Sequence, residues 1–456
     1  MELAALILAA GKGTRMKSAL PKVLHPIAGR TMVGHVLDAV AGLDPARVAV
    51  VIGPDMEDVA EAVAPAAAVV QPEQLGTADA VKAARDVLPP IEGTVLVLYG
   101  DTPFIGRGTL EKMVAAREAA AETAVVVLGF RPADPGAYGR LVLAPNGDLQ
   151  AIVEARDASP DVLAIDLCNS GVMAIDGARL WELIDAVGND NAKGEYYLTD
   201  IVAIARSQGL TCTFIEADAE ELSGVNSRAE LAVAEAIMQQ RLRAAAMANG
   251  ATLIDPTTVW FSYDTRIGED VTIGPNVFFG PGVSVANGAE IRAFSHLEGA
   301  TLGEDVTVGP FARLRPGAVV AKGARVGNFV EVKNATLEEG AKVNHLTYIG
   351  DARVGEAANV GAGTITCNYD GFLKHHTDIG AGAFIGSNTA LVAPVKIGAG
   401  AIVGAGSTIG KDVEADALAV ERADTKMTRG WAKMFREKKS AEKAAQQKSK
   451  QKTARK

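Results

Sequence analysis

A glycine-rich turn beside two cations ends the first apolar run of the sequence. Gly11 and Gly13 lie in this turn, and Arg15 and Lys22 follow it. Glycines let main-chain N–H groups approach a phosphate chain closely, and the two cations can neutralise its charge. A turn that merely joins a strand to a helix would explain the glycines but not the cations. The stretch therefore predicts a site for a phosphate chain.

Two common phosphate motifs are absent from this turn. A dinucleotide-binding fold would need a third glycine, and a Walker loop would end in Gly-Lys followed by Ser or Thr. Neither pattern occurs between residues 8 and 22. The predicted site therefore belongs to another class of phosphate-binding protein.

A carboxylate follows the strongest apolar run, residues 95–99. Asp101 comes after Tyr99 and Gly100, and the glycine gives close access to the carboxylate. Such an oxygen ligand suits a Mg²⁺ that keeps most of its waters and bridges to phosphates. An Asp here can instead cap the helix that Thr102-Pro103 would begin. The residues alone leave both interpretations open.

A histidine in the second half of the chain could act as a base. His345 precedes Tyr348, and histidine in general titrates near neutral pH, which suits removal of a proton from an attacking amine. Arg315 and Lys333 lie at comparable positions of neighbouring repeats and can hold a phosphate. A packed or solvent-facing histidine is the alternative. The combination favours a base beside a sugar phosphate.

The first 225 residues must position the phosphate site. Apolar strand-like runs alternate there with helical patterns, which predicts an α/β domain with a mainly parallel sheet flanked by helices. The strands are predicted at residues 4–9, 48–52, 94–99 and 124–128, and the helices at 31–41, 78–87 and 109–120. Residues 141–144 and 149–153 predict an added hairpin. Ligands of such sheets bind beyond the carboxyl ends of the strands, where the turn and Asp101 lie.

The second half is organised by a period of six residues. Aliphatic or aromatic side chains recur at that spacing from Ile267 to Ile409, with small or β-branched residues two places earlier and often Gly just after. Six residues is too short for the strands of a β-sandwich. The pattern therefore predicts a β-helix of stacked coils. Its largest break lies between Val360 and Ile379 and contains a polar loop at residues 363–371.

The predicted organisation has four parts. We expect a first domain at residues 1–225, a linker helix at 226–250, a β-helix at 251–430 and a basic, solvated tail, disordered or a fraying helical end, at 431–456. Ser227 and Glu230 have the spacing of a capping box that would start the linker helix.

Composition limits the possible partners and compartment. The net charge is −10 although the tail carries ten Lys or Arg against two Glu, so the body is acidic and no nucleic-acid partner is expected. No apolar run approaches the length of a membrane span. The widely spaced Cys168, Cys212 and Cys367 indicate reduced thiols in the cytoplasm. The pair His375-His376 beside Cys367 lacks the spacing of zinc ligands.

The run from Leu8 to Met16, with Pro21-Lys22, resembles the nucleotidyltransferase motif of sugar-phosphate pyrophosphorylases. With a hexapeptide solenoid behind it, the chain is similar from residue 3 to about residue 430 to a bacterial bifunctional family, N-acetylglucosamine-1-phosphate uridylyltransferase and glucosamine-1-phosphate N-acetyltransferase. The resemblance implies a Rossmann-like first domain and a left-handed, triangular β-helix. It also implies a homotrimer with sites between chains, and a role in the synthesis of UDP-N-acetylglucosamine for cell-wall precursors.

For the uridylyltransferase site the resemblance implies UTP as donor, Mg²⁺ held by Asp101 and Asn226, and charge neutralisation by Arg15 and Lys22. Gln71, Gly76 and Thr77 would meet the uracil, and Gly139, Glu154 and Asn169 the sugar. The implied nucleotide and sugar contacts are Leu8, Ala9, Ala10, Gly11, Lys22, Gln71, Gly76, Thr77, Tyr99, Gly100, Asp101, Gly139, Glu154, Asn169 and Asn226. Ser170 departs from the usual Thr, which should alter packing more than chemistry.

For the acetyltransferase site the resemblance implies His345 as the base and acetyl-CoA as the donor. The implied sugar-phosphate contacts are Arg315, Lys333, Tyr348, Asn359 and Asn368. The implied acetyl-CoA contacts are Ala362, Asn368, Tyr369, Ser387, Ala405 and Arg422. Asn344 departs from the small residue usual before the histidine, which leaves the packing beside the base open.

Two other functions would fit parts of the sequence. One is a single-activity sugar-nucleotide pyrophosphorylase whose β-helix is structural or regulatory, and the other is a non-catalytic regulatory subunit. A scaffold would not need His345 or the loop with Asn368-Tyr369, and an inactive subunit would not need Arg15, Lys22 and Asp101 together. The sequence therefore favours the bifunctional enzyme.

Overall fold

The computed structural model describes residues 2–453, which form two compact units. One comprises the chain up to Glu269 together with Pro275–Ser284, and the other comprises Asp270–Gly274 and the chain from Val285 onward. Among the residues described, no helix is both long and apolar enough to cross a membrane.

The first unit alternates strands with helices, as the sequence predicted. Its strands are β1 (Glu2–Leu8), β2 (Pro26–Ile27), β3 (Arg30–Thr31), β4 (Arg47–Ile52), β5 (Ala67–Val70), β6 (Gly93–Tyr99), β7 (Thr123–Phe130), β8 (Arg140–Leu143), β9 (Leu149–Val153), β10 (Cys168–Asp176) and β11 (Thr211–Glu216). Its helices are α1 (Met32–Ala41), α2 (Glu57–Ala62), α3 (Thr77–Ala83), α4 (Arg107–Glu118), α5 (Pro160–Leu163), α6 (Leu180–Asp185), α7 (Asp200–Ser207) and α8 (Arg228–Ala248).

These strands build a mixed sheet in the order β11-β7-β10-β6-β1-β4-β5. The pairs of β1 with β4 and β6, and of β4 with β5, are parallel. The predicted hairpin is confirmed as the antiparallel pair of β8 and β9. The sequence did not predict that β10 enters the sheet antiparallel to both β6 and β7. Both faces of the sheet are covered, since Leu6 packs in one core cluster and Ile7 in another.

Helix α8 begins at a capping box, but the box differs from the expected form. Ser227 Oγ accepts a hydrogen bond from the N–H of Glu230, at 3.3 Å. The Glu230 carboxylate accepts from the N–H of Asn226, at 2.6 Å, one residue before the cap. The box therefore fixes the backbone of Asn226 as well as the start of the helix.

The hexapeptide region consists of short parallel strands. They are β12 (Thr252–Leu253), β13 (Arg266–Ile267), β14 (Thr272–Ile273), β15 (Phe278–Phe279), β16 (Ser284–Val285), β17 (Glu290–Ile291), β18 (His296–Leu297), β19 (Ala300–Leu302), β20 (Thr307–Val308), β21 (Arg313–Leu314), β22 (Ala318–Val320), β23 (Arg325–Asn328), β24 (Glu331–Leu337), β25 (Lys342–His345), β26 (Tyr348–Val354), β27 (Asn359–Val360), β28 (Ile365–Cys367), β29 (Thr377–Ile379), β30 (Phe384–Ile385), β31 (Ala390–Val392), β32 (Val395–Ile397), β33 (Ile402–Val403), β34 (Thr408–Ile409) and β35 (Leu418–Ala419).

Successive coils of the second unit stack in register. Ile291 pairs with Val308, and Val326 pairs with Val343, so the apolar residues of the six-residue repeat meet along the coil axis. The sixfold residues within the unit, from Val285 to Ile409, are buried. Because each coil covers only its neighbours, a continuous apolar core needs this regular spacing.

One corner of the coils carries an exposed apolar ladder. We call Phe294, Phe311, Phe329 and Leu346 the corner ladder; each has a positive φ and is about half exposed or more. The ring centroids of Phe294 and Phe311 are 4.9 Å apart, and those of Phe311 and Phe329 are 5.2 Å apart. In later coils the corner positions are taken by Gly363, Asn388 and Gly406, also at positive φ. The ladder therefore ends at Leu346, and the later corners carry no large apolar side chain.

The sequence predicted that the basic tail is a solvated segment, either disordered or a fraying helical end. It forms a helix, α9 (Trp431–Thr453), whose side chains up to Lys448 are exposed. Its Lys, Ala, Glu and Gln residues are strong helix formers, which accounts for a helix without a packed face. The residues beyond Thr453 lie outside the described part of the chain.

Candidate active sites

The first site lies at the carboxyl ends of β1 and β6. Leu8 and Tyr99 pair at the ends of these strands, and the N–H of Gly100 donates to the carbonyl of Leu8 at 3.0 Å. The turn after β1 and the segment with Asp101 therefore leave the sheet side by side. A cavity of about 550 Å³ opens there.

The cavity collects most of the residues that the resemblance implied. Those that line it are Leu8, Ala9, Ala10, Gly11, Lys22, Gln71, Gly76, Thr77, Tyr99, Asp101, Glu154 and Asn169. Gly139 lies behind this wall, where its carbonyl accepts from the N–H of Asn169 at 2.8 Å. Arg15 is not among the lining residues and is exposed on the short 3-10 helix Thr14–Met16.

Lys22 joins the two residues expected to bind the metal. Its ammonium forms an ion pair with Asp101 and donates to Asn226 Oδ1 at 3.2 Å. The Lys22 and Asp101 side chains are only 13% and 18% exposed. Gly13 allows this arrangement, because a Cβ there would lie 2.6 Å from Lys22 Cβ. The turn and the cation therefore pack as one structure.

The donor set fits a magnesium ion. A carboxylate and an amide oxygen converge on one positive charge, the Lys22 ammonium, and both are oxygen ligands of the kind that Mg²⁺ takes. Two protein oxygens leave further positions for water and phosphate. Among the described residues there is no cluster of three or more His, Cys, Asp or Glu that could hold a metal.

The loop expected to contact the uracil is held by a network of hydrogen bonds that the sequence did not reveal. Gln71 Nε2 donates to the carbonyl of Gly76 at 3.0 Å and to Asp79 Oδ2 at 2.7 Å. Gly76 has φ 133°, and a Cβ there would lie 2.4 Å from the Tyr196 carbonyl oxygen. Only glycine therefore fits this loop, which brings Gln71 and Thr77 to the cavity.

Burial tunes two ionisable groups on the sugar side. Burial raises the pKa of Glu154, although a hydrogen bond from Thr199 opposes the shift. Burial, and then the charges of Asp101 and Glu154, raise the pKa of Tyr99. This wall of the cavity is therefore acidic but poorly solvated, and it suits groups that donate hydrogen bonds, such as sugar hydroxyls.

Sequence reasoning missed one wall of the cavity. The missed lining residues are Val23, Glu73, Ala80, Lys193, Glu195, Tyr197 and Thr199. Four of them come from the stretch before α7. This stretch contacts the loop expected at the uracil, since the Tyr196 N–H donates to the Leu75 carbonyl at 2.9 Å. The cluster of charged and aromatic residues at 193–199 was the available signal. It follows no strand, so the rule about strand ends did not select it.

The second site surrounds His345 at the end of β25. His345 lines a groove of about 510 Å³ together with Asn328, Asn344 and the charged residues Arg292 and Arg325. Its carbonyl accepts from Thr347 Oγ1 at 2.6 Å and from the N–H of Gly363 at 3.2 Å. The backbone of the histidine is therefore fixed, while its side chain is exposed.

A column of small residues stands above the histidine. The N–H of Asn388 donates to the Ala362 carbonyl at 2.7 Å, and the N–H of Gly406 donates to the Ser387 carbonyl at 2.8 Å. With the bond from Gly363 to His345, these contacts place the implied acetyl-CoA residues in successive coils. The column runs His345, Ala362, Ser387 and Ala405, and a Cβ on Gly406 would contact the Arg422 side chain at 3.8 Å. An extended ligand could lie along it.

A cationic cluster lies on the coil face beyond the corner. Its members are Arg315, Lys333 and Lys374. The side chain of Arg315 donates to Glu331 at 2.9 Å, and Asn368 Nδ2 lies 3.5 Å from the hydroxyl oxygen of Tyr348. The neighbouring ammonium group of Lys374 lowers the pKa of Lys333. Two neighbouring positive charges indicate a place for an anion. The sequence had not selected Lys374, which reaches Tyr369 through a bridge across the inserted loop.

Within one chain, the corner of the coils separates the histidine groove from the cationic cluster. His345 belongs to β25 and Tyr348 to β26, which lie in different sheets, and Leu346 makes the turn between them. Asn359 starts β27, in the same sheet as His345 and paired with Lys342. Tyr369 is 61% exposed and pairs with Lys374 across the inserted loop. The structure thus brings the implied residues together as two groups on either side of the corner ladder.

Comparisons with known proteins cover nearly the whole chain. A family model described as MobA-like NTP transferase domain matches residues 5–163, and one described as Bacterial transferase hexapeptide (six repeats) matches residues 264–299 and 376–411. These matches confirm the expected fold, a nucleotidyltransferase domain followed by a left-handed parallel β-helix.

Three curated relatives carry the name Bifunctional protein GlmU. The chain is 64% identical to the one from Paramagnetospirillum magneticum over 97% of this chain and 98% of that protein. It is 66% identical to the one from Rhodospirillum rubrum, over 95% and 97%. It is 57% identical to the one from Rhodopseudomonas palustris strain BisA53, over 95% and 96%.

Proposed function

The chain belongs to the family of bifunctional GlmU proteins, and we propose that its two sites divide two transfer reactions between them. The second unit transfers acetyl from acetyl-CoA to glucosamine 1-phosphate. The first unit then transfers uridylyl from UTP to N-acetylglucosamine 1-phosphate and releases pyrophosphate. The observation that carries this assignment is that each unit has its own site, a cation-lined cavity in one and a histidine groove in the other.

In the uridylyl reaction, an oxygen of the sugar phosphate attacks the α-phosphorus of UTP, and the bond to pyrophosphate breaks. This chemistry depends on positioning and charge neutralisation more than on a protein nucleophile. Lys22 supports the phosphates from within the cavity, and we assign to Arg15, on its short exposed helix, the neutralisation of charge on the pyrophosphate. The loop with Gln71 and Thr77 holds the base, while Glu154 and Asn169 orient the sugar.

Asp101 and Asn226 would hold a Mg²⁺ in this reaction. The ion, when bound, supplies positive charge to phosphate oxygens. Lys22 contacts both residues, so the chain itself keeps their oxygens aligned.

In the acetyl reaction, the amine of glucosamine 1-phosphate attacks the thioester carbonyl and the thiolate of coenzyme A leaves. His345 takes the proton that the amine loses. Arg315, Lys333 and Tyr348 hold the phosphate. The donor lies along the column formed by Ala362, Ser387 and Ala405, where the corner ladder has ended and no bulky corner side chain intervenes.

We further propose a homotrimer in the cytoplasm. The corner ladder exposes four large apolar side chains in a row, a pattern typical of a protein interface. It separates the histidine groove from the cationic cluster, so a neighbouring copy seated against the corner would complete the site with its own cluster. The free cysteines, two of them buried, suit a reducing compartment.

One assay tests both assignments. The purified protein is assayed in two mixtures: glucosamine 1-phosphate with acetyl-CoA, in which free thiol is measured, and N-acetylglucosamine 1-phosphate with UTP and Mg²⁺, in which pyrophosphate is measured. Asp101→Asn is expected to abolish pyrophosphate release from N-acetylglucosamine 1-phosphate and to keep thiol release. His345→Ala is expected to do the reverse. Wild-type rates of both products in either variant would contradict the corresponding site.

A further inference from the structure

Asn328 contacts the proposed base directly. Its Oδ1 lies 2.7 Å from His345 Nδ1, and the two residues pair across neighbouring coils in β23 and β25. Neither the motif around His345 nor the implied residue sets include Asn328. The question is whether this contact only joins two coils or also acts on the histidine.

The backbone already joins these coils without the side-chain bond. The N–H of Leu346 donates to the Asn328 carbonyl at 3.0 Å. Just before it, a Cβ on Gly327 would lie 1.9 Å from the Asn344 carbonyl oxygen, so the strands are as close as glycine permits. The positions of both Cα atoms are therefore fixed. What the side chain of Asn328 adds is control of the imidazole ring.

The hydrogen bond selects a tautomer. An amide oxygen only accepts hydrogen bonds, so the ring nitrogen facing it must carry the proton. Nδ1–H then donates to Asn328, and the lone pair resides on Nε2, the nitrogen on the other side of the ring. In a neutral histidine the partner of one nitrogen decides the state of the other. Without Asn328, a histidine exposed in this groove would also populate the Nε2–H form, which cannot accept a proton at Nε2.

We infer that Asn328 is a positioning residue for acetyl transfer: it holds His345 in the Nδ1–H tautomer, with Nε2 free to take the proton of the amine. The inference rests on the proposed role of His345. The charged side chains that line the same groove are Glu290, Arg292 and Arg325, and Glu290 is paired with Arg292 at 2.9 Å.

The test compares Asn328→Leu with Asn328→Asp. Leucine has a similar size and no acceptor, so we expect kcat for acetyl transfer to fall roughly 10- to 100-fold, as for other residues that orient a functional histidine. A carboxylate accepts as the amide oxygen does, so Asn328→Asp is expected to recover most of the rate. Its pH–rate profile should move its acid limb to higher pH, because a carboxylate stabilises the imidazolium. The KM values for both substrates should change little.

A direct readout is the ¹⁵N NMR spectrum of the His345 ring in each full-length protein. Wild type and Asn328→Asp are expected to show Nδ1–H, and Asn328→Leu a mixture with Nε2–H. Thr272→Val, in the same sheet but outside the groove, serves as the matched control and should keep the wild-type rate and spectrum. Pyrophosphate release should be unchanged in every variant, which shows that the first unit is intact.

The two hypotheses fail in different ways. If His345→Ala keeps acetyl transfer, the proposed base is wrong. If His345→Ala is inactive but Asn328→Leu keeps the wild-type kcat and the Nδ1–H form, the base stands and the role of Asn328 is wrong. A wild-type spectrum dominated by Nε2–H would also overturn the inference.

Discussion

At the scale of single residues, the first site combines strong charge with little solvent. Lys22 and Asp101 neutralise each other, whereas Glu154 faces the cavity with a hydrogen bond from Thr199 and the charge of Lys193. Burial raises the pKa of Glu154 above its ordinary value, so the folded chain binds that proton more tightly than the unfolded chain. The ionised Glu154 therefore lowers the stability of the folded chain. We assign its carboxylate to binding the sugar.

We predict that Glu154→Gln stabilises the protein near pH 8 and weakens sugar binding. Because the folded pKa is raised, wild-type stability falls as pH rises from the ordinary value of 4.5 through the folded value. The gain of the variant in Tm should therefore shrink as pH falls towards 4.5. Losing a charge-assisted hydrogen bond should raise KM for N-acetylglucosamine 1-phosphate about tenfold or more.

Thermal melts from pH 4.5 to pH 8 and steady-state kinetics check this prediction. The exposed Glu122→Gln is the control and should show neither effect. A difference in Tm that does not depend on pH would contradict the assignment to a buried carboxyl group.

At the scale of elements, the cap of α8 connects helix formation to the first site. Ser227 Oγ caps the helix, and Glu230 accepts from the N–H of Asn226, whose side chain faces Lys22. The helix start therefore decides where a proposed metal ligand points.

We predict that Ser227→Ala lowers the free energy of unfolding by about 1 kcal/mol, as lost caps generally do. Glu230→Ala should in addition weaken Mn²⁺ binding in the absence of substrates, because Asn226 loses its backbone restraint. Chemical denaturation and electron paramagnetic resonance of Mn²⁺ measure the two effects. Acetyl transfer is the internal control and should stay at the wild-type rate, and unchanged Mn²⁺ affinity in Glu230→Ala would contradict the link.

The inserted loop of the β-helix is a second element with its own support. Asp370 accepts from the N–H groups of Phe372 and Leu373, at 2.8 and 2.7 Å, and pairs with His375 at 2.7 Å. The Leu373 N–H, then His375 and the Phe372 N–H, lower the pKa of Asp370 to about 2. The loop therefore carries its own anion-centred turn.

We predict that this turn keeps its structure until strongly acidic pH. A lowered folded pKa means that the stabilisation is fully present above the ordinary Asp value of 3.8 and is lost as pH falls through about 2. Amide NMR signals of Phe372 and Leu373 should therefore hold their positions from pH 7 to pH 4. Asp370→Ala should move these signals towards random-coil positions at every pH. Shifts in wild type near pH 5 would contradict the prediction.

At the scale of the whole molecule, each unit carries one of the two chemistries. The corner ladder is the feature that suits association, since its rings stack and stay about half exposed. A polar residue in the ladder should therefore weaken the association of neighbouring copies and leave the activity of the first unit unchanged.

We predict that Phe311→Ser dissociates the proposed trimer and reduces acetyl transfer at least about tenfold, because burial of an aromatic side chain is lost at each contact. Pyrophosphate release should be unchanged. Light scattering after size-exclusion chromatography measures the mass. Ile254→Ser, at an exposed apolar side chain outside the ladder, is the control, and a monomeric wild type would contradict the trimer.

The sequence by itself determined the repeats and the chemistry carried by short stretches. The six-residue period, the hairpin at residues 140–153 and the start of α8 depend on neighbours along the chain, so spacing was enough to predict them. The turn after β1 and the histidine were identified for the same reason. The strands β5 and β11 and the antiparallel direction of β10 were not predicted, because pairing partners are chosen across the sheet.

The tertiary structure decided which of these residues meet. Lys22 reaches Asp101 and Asn226 across 79 and 204 positions of sequence, and Asn328 reaches His345 across 17. The wall at residues 193–199 and the separation of His345 from the cationic cluster by a corner were likewise not readable from spacing. Such distances result from how strands and coils pack, and packing is set by the whole buried core rather than by any local pattern.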